Sequence, residues 1–160
     1  MRNLSSKLLP ALTLVFACTV SGGAFAGMHE NIWLRHEGDP VVALHGSPRA
    51  MAQLGFRYEN GWGVPQNYIA AADLYRAAAE RGDPFAQSRL GLSYDKGHGV
   101  PRDLILSYKW LDLAAARAPR REYDFYQRLR EAVATKMSLA QVAEGQRLAL
   151  IWTANRAERR

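Results

Sequence analysis

The chain has 160 residues, 48% of them hydrophobic and 22% charged, and a formal net charge of +6. At about 150 residues per domain that length suits one domain, and a chain this apolar is not a disordered one. A single cysteine excludes a disulfide scaffold and a cysteine-based zinc site.

Residues 1–26 have the three parts of a secretory signal peptide. Arg2 and Lys7 are basic, Leu8 to Val20 is apolar, and Ala24-Phe25-Ala26 offers a small-x-small cleavage site before Gly27. The apolar run is shorter than the roughly 20 residues that span a bilayer, so no stable membrane span is expected. Val15-Phe16-Ala17-Cys18 is a looser match to a lipoprotein cleavage box, with Phe16 too bulky for its place. Cleavage after Ala26 is therefore preferred, with lipidation at Cys18 as the alternative, and a secreted or periplasmic location is expected.

Loss of the leader removes two basic charges and leaves +4, all of it in residues 120–160. Acids are interleaved there (Glu122, Asp124, Glu131, Glu144, Glu158). A solvated helix face explains this better than nucleic-acid binding, and none is expected.

From Gly46 onward the chain matches itself at a shift of 36 residues without a gap. Ala50, Leu54, Gly55 and Tyr58 fall on Ala86, Leu90, Gly91 and Tyr94, and Gly61-Trp62-Gly63-Val64-Pro65 falls on Gly97-His98-Gly99-Val100-Pro101. Each unit predicts helix, loop, helix. Pro48 and Pro84 suit a first helical turn. Ala50, Leu54 and Tyr58 recur every four residues, one apolar stripe. Gly55 and Gly91 stand mid-helix at a cost of about 1 kcal/mol each, which implies close approach of a neighbouring helix. Asn67 and Asp103 are good N-caps. The second helices run from about Tyr68 to Arg81 and from about Leu104 to Arg117, with Leu74, Tyr75, Ala78 and Ala79 packing in the first and Trp110, Leu111, Ala114 and Ala115 in the second.

Residues 27–49 predict a truncated repeat broken near His36-Glu37-Gly38-Asp39-Pro40. Residues 119–160 predict capping helices. One runs from about Arg121 to Lys136, and Ser138-Leu139-Ala140-Gln141 is a capping box that starts another. Such hairpins cannot bury their apolar faces alone, and stacking solves this.

This pattern, over Ala50 to Gly82 and Ala86 to Ala118, resembles the Sel-1-like repeat, a relative of the tetratricopeptide repeat. Ser107 stands where alanine is usual, and Ala118-Pro119 where a glycine turn is usual. The tail from Lys136 to Ala149 is similar to the closing helix of exported bacterial members. The resemblance implies an all-α fold, a short right-handed α/α solenoid. It also implies a protein-binding scaffold without chemistry of its own, here an adaptor for an unidentified protein partner in the bacterial cell envelope. In related solenoids a second stripe of the first helices lines a concave groove. Here that stripe is Arg49, Ala52, Phe56, Glu59 and Asn60, and its copy is Phe85, Ser88, Leu92, Asp95 and Lys96. Two arrangements are open: these side chains meet a partner, or they pack beneath the caps. At the loop tips Trp62 and its counterpart His98 are candidate contacts, and Trp62 equally suits folding back on the adjacent repeat.

Motifs for chemistry are lacking. His29 and His36 are seven residues apart, roughly 10 Å along a helix and too far for one ion. His45 and His98 have no partner by spacing, so no metal is expected. No Gly-x-Ser-x-Gly or phosphate-binding loop occurs, and no cofactor is expected. The alternative to a binding protein is a cell-envelope enzyme or glycan-binding accessory on the same helices, and a deep pocket holding Glu59 and Asp95 together would favour catalysis.

Overall fold

The computed structural model describes residues 46–159. The expected leader, Cys18, and His29, His36 and His45 lie outside the described residues, as does nearly all of the expected truncated repeat. Six helices and no strands occur among the described residues: α1 (Pro48–Asn60), α2 (Tyr68–Glu80), α3 (Pro84–Lys96), α4 (Leu104–Arg117), α5 (Arg120–Ala134) and α6 (Leu139–Ala157).

The caps are written locally. Ser47 and Asp83 accept from the backbone N–H groups of Ala50 and Ala86 ahead of Pro48 and Pro84. Asn67 accepts from Ile69 and Ala70, and Asp103 from Leu106. Each such cap contributes about 1 kcal/mol. α1 and α3 both end at a left-handed glycine, Gly61 and Gly97. Ser138 and Gln141 form the reciprocal box at the start of α6. α5 has no side-chain cap and follows α4 directly, after Ala118 and Pro119.

α1 packs on α2 and α3 on α4, and the two hairpins join through α2 and α3. The mid-helix glycines mark the tight crossings. A Cβ on Gly55 would lie 2.9 Å from the Tyr75 ring and 3.2 Å from the Ala71 carbonyl oxygen. On Gly91 it would meet Leu111 at 2.8 Å and the Ser107 carbonyl oxygen at 3.0 Å. Leu54, Tyr75, Ala78, Ala79, Leu90 and Leu111 are buried between the helices.

α5 and α6 do not close the stack as a hairpin. Both pack chiefly on α4. From α5, Tyr126 joins Ala114 and Ala115, and Val133 joins Tyr108 and Leu111. From α6, Gly145 lets the backbone approach Tyr108, and Ala149 and Trp152 join the cluster of Trp110 and Leu113. α6 then reaches back to the end of α2, where Arg156 donates to the carbonyls of Glu80 and Arg81.

Candidate protein-binding surface

The outward stripe of the first helices is a chain of ring and guanidinium contacts. Phe56 meets Trp62 edge-on, with centroids 5.2 Å apart, and Phe85 at 6.0 Å. Arg89 lies over Phe56 and Arg49 over Phe85, at 4.9 and 4.6 Å. Trp62 remains 61% exposed although its ring is held by Phe56. Arg49 is half exposed, with the Asp83 carboxylate 3.8 Å away. Asn60 is exposed and donates back to the Phe56 carbonyl. Lys96 is exposed and Leu92 is partly buried.

Glu59 is a strut between three helices rather than an open contact. Its Oε2 accepts from the Tyr75 hydroxyl at 2.6 Å and from Arg89 Nε at 3.1 Å. The carboxylate therefore compensates the Arg89 charge, and Arg89 in turn fixes the Phe56 ring. Burial, then the neighbouring Glu59 carboxylate, holds the Tyr75 phenol well above its ordinary range.

In the second repeat two positions of the same stripe, Ser88 and Asp95, meet the C-terminal segment. Ser88, expected in the groove, is 2% exposed and donates to the Phe85 carbonyl. Tyr126 packs near enough for its hydroxyl to interact with Ser88. Asp95 is paired with Lys136 beyond the end of α5 at 2.7 Å. Each repeat thus ends its first helix on a carboxylate held by a cation from the next unit, Glu59 by Arg89 and Asp95 by Lys136. The two carboxylates whose meeting in one pocket would favour catalysis are engaged by separate cations. His98 is likewise inter-repeat packing: its ring lies tilted against Tyr68, with centroids 4.4 Å apart. No group of three or more His, Cys, Asp or Glu suited to a metal ion occurs among the described residues.

Arg89 escaped sequence reasoning, although it stands four residues after Phe85, where the first repeat has Gln53 after Arg49. Helical spacing puts Tyr126 on the inner side of its helix with Leu129 and Val133, and it is buried there, but its contact with Ser88 depends on where α5 docks.

The Tyr126 phenol is pushed up to about 12 by burial, then by its hydrogen bond to Glu122. Its ordinary value is 10, so the folded state keeps a proton that the unfolded chain loses. The resulting stability is fully present below pH 10 and is lost as pH rises towards about 12. Urea midpoints measured across that range are expected to fall, and to fall less steeply for Tyr126→Phe.

Tandem helical hairpins with caps on α4 and an aromatic face define an α/α repeat solenoid of the scaffold class. Its unit is the Sel1 repeat, whose family model matches residues 48–83 and 84–118: the chain carries two Sel1 repeats. Sel1 repeats generally mediate protein–protein interaction and are typically non-catalytic scaffolds. Among solved structures, the chain is similar to c5321, a protective antigen of uropathogenic Escherichia coli strains displaying an SLR fold. That match has 29% identity and a TM-score of 0.63 and covers 69% of this chain and 23% of that one. A Sel1 repeat protein from Oxalobacter formigenes matches at 37% identity and a TM-score of 0.49, over 54% of this chain and 25% of that one. The chain thus spans about a quarter of the length of each. No curated protein matches it.

Proposed function

We propose that this protein is an exported adaptor of the bacterial cell envelope that binds a protein partner through the Phe56, Trp62 and Phe85 cluster. Trp62 carries the reading. It is a large, mostly exposed ring set edge-on against Phe56, and aromatic anchors dominate interface energetics. Arg49, over the Phe85 ring at the other end of the cluster, supplies a charged rim. Export is supported by the leader pattern in residues 1–26. Cell fractionation and the mass of the processed N-terminus test that part. A chain starting at Gly27 in the periplasmic fraction is expected, and a cytoplasmic chain starting at Met1 counts against it.

Binding is tested by affinity capture from envelope extract with the purified protein and with Trp62→Ala and Phe56→Asp. Truncating a central aromatic anchor costs about 2 kcal/mol or more. Recovery of the partner is therefore expected to drop by more than about tenfold. Recovery equal to that of the unsubstituted protein overturns the assignment.

A further inference from the structure

α6 ends beside the turn between α2 and α3, and arginines from three elements gather there. Arg81 follows α2, Arg117 closes α4, and Arg156 and Arg159 come from the end of α6 and just beyond it. A Cβ on Gly82 would lie 2.9 Å from Arg156 Nη2 and 3.1 Å from Arg117 Nη1, so two guanidinium groups converge on one turn. Both also lie over the Trp152 ring, Arg117 at 4.5 Å and Arg156 at 5.3 Å. Arg156 Nε is buried without a hydrogen-bond partner. A cleft opens on each side of Arg156. One, of about 690 Å³, is lined by Pro48, Glu80, Arg81, Trp152 and Arg159. The other, of about 740 Å³, is bounded by Pro84, Arg117 and Thr153.

Cations this close repel one another, and an anion between them is stabilised by all of them. Glu80 is the one acidic side chain lining the first cleft, and it also faces Lys109 on α4. The cluster therefore keeps a positive excess. Guanidinium forks match carboxylates in planar, paired geometry. Trp152, Pro48 and Pro84 add apolar walls that a simple inorganic ion leaves unused. Phosphate sites are commonly built on helix N-terminal N–H groups. The backbone groups presented here are carbonyls at the end of α2, and Arg156 already occupies them.

We propose that this double cleft is a second binding site, for an extended acidic segment of a protein, distinct from the aromatic surface of α1 and α3. Carboxylates of the segment pair with Arg81 and Arg159, Arg156 adds its charge while its two Nη groups hold the α2 carbonyls, and apolar side chains of the segment lie against Trp152 and the prolines.

The probe is a fluorescein-labelled peptide of alternating Glu and Leu, titrated with the purified protein and read by anisotropy. Saturable binding that weakens with salt is expected. Arg81→Gln combined with Arg159→Gln is expected to weaken it by at least about tenfold. Arg159→Glu alone, whose guanidinium bonds back to Asn155 of its own segment, is expected to weaken it as well. Phe56→Asp is expected to leave it unchanged, which separates this site from the aromatic one. The proposal is overturned if a Gln-Leu peptide binds as tightly, if both arginine variants bind normally, or if Phe56→Asp abolishes binding. It is also overturned if a single-stranded oligonucleotide or inorganic phosphate displaces the peptide at lower concentration than unlabelled peptide does.

Discussion

Gly99→Ala is expected to destabilise the protein by about 4 kcal/mol, at the top of the range for single substitutions. A Cβ there would stand 2.0 Å from the Tyr68 carbonyl oxygen and 2.8 Å from the Ile69 nitrogen, both backbone atoms of the preceding repeat. A flexible side chain can swing aside from such a collision, but the first turn of α2 moves only with its helix. Left-handed backbone adds about 1 kcal/mol for a residue bearing a Cβ. Gly63 supplies the control. Its φ is 72° against 74° at Gly99, and no described atom lies within 4 Å of its would-be Cβ. Gly63→Ala is therefore expected to cost only the conformational share, about 1 kcal/mol. The difference between the two urea midpoints measures how tightly the hairpins interlock. Equal losses at both positions would show that the loops do not form the joint.

Tyr75→Ala is the second large effect, about 4 kcal/mol, in the range for emptying a buried aromatic site. Tyr75 is fully buried and fills the space that Gly55 leaves on α1. Its hydroxyl also donates to Glu59, which holds Arg89 on α3. Tyr75→Phe separates the two contributions. It keeps the ring, and Glu59 keeps Arg89, so the loss is expected near 1 kcal/mol, a single hydrogen bond. Thermal unfolding of both variants checks this. A Phe variant as unstable as the Ala variant would mean that the polar strut, not the ring, holds the three helices together.

Much of the helical architecture was legible because its causes are local. Pro48 and Pro84, the side chains of Asn67 and Asp103, and the box of Ser138 and Gln141 set helix starts within three residues of themselves. The 36-residue shift made each reading twice. It also pointed to the packing reason for Gly55 and Gly91, since a costly residue retained in the same place in both copies implies a neighbour. The candidate surface was legible only in part. Helical spacing put Phe56 and Phe85 on the outward stripe and the repeat put Trp62 at a loop tip, and Phe56 meets both other rings. Glu59, Ser88 and Asp95 shared that stripe and His98 the loop tip, and all four are engaged elsewhere. Their partners lie far along the chain: Tyr75 and Arg89 for Glu59, Lys136 for Asp95 and Tyr68 for His98. Ser88 is buried, beside the Tyr126 hydroxyl of α5.

Periodicity of side chains along a helix depends on the chain alone, so the repeat, its caps and its glycine crossings could be deduced residue by residue. Whether a stripe meets solvent depends on which other helix lands on it, and helix docking is decided by the summed burial of many weak contacts far apart in the chain. That is why Tyr126 of α5 lands beside Ser88 in the second repeat while Trp62 in the first stays exposed. It is also why Arg156 finds the end of α2, 76 residues earlier in the chain at the Glu80 carbonyl.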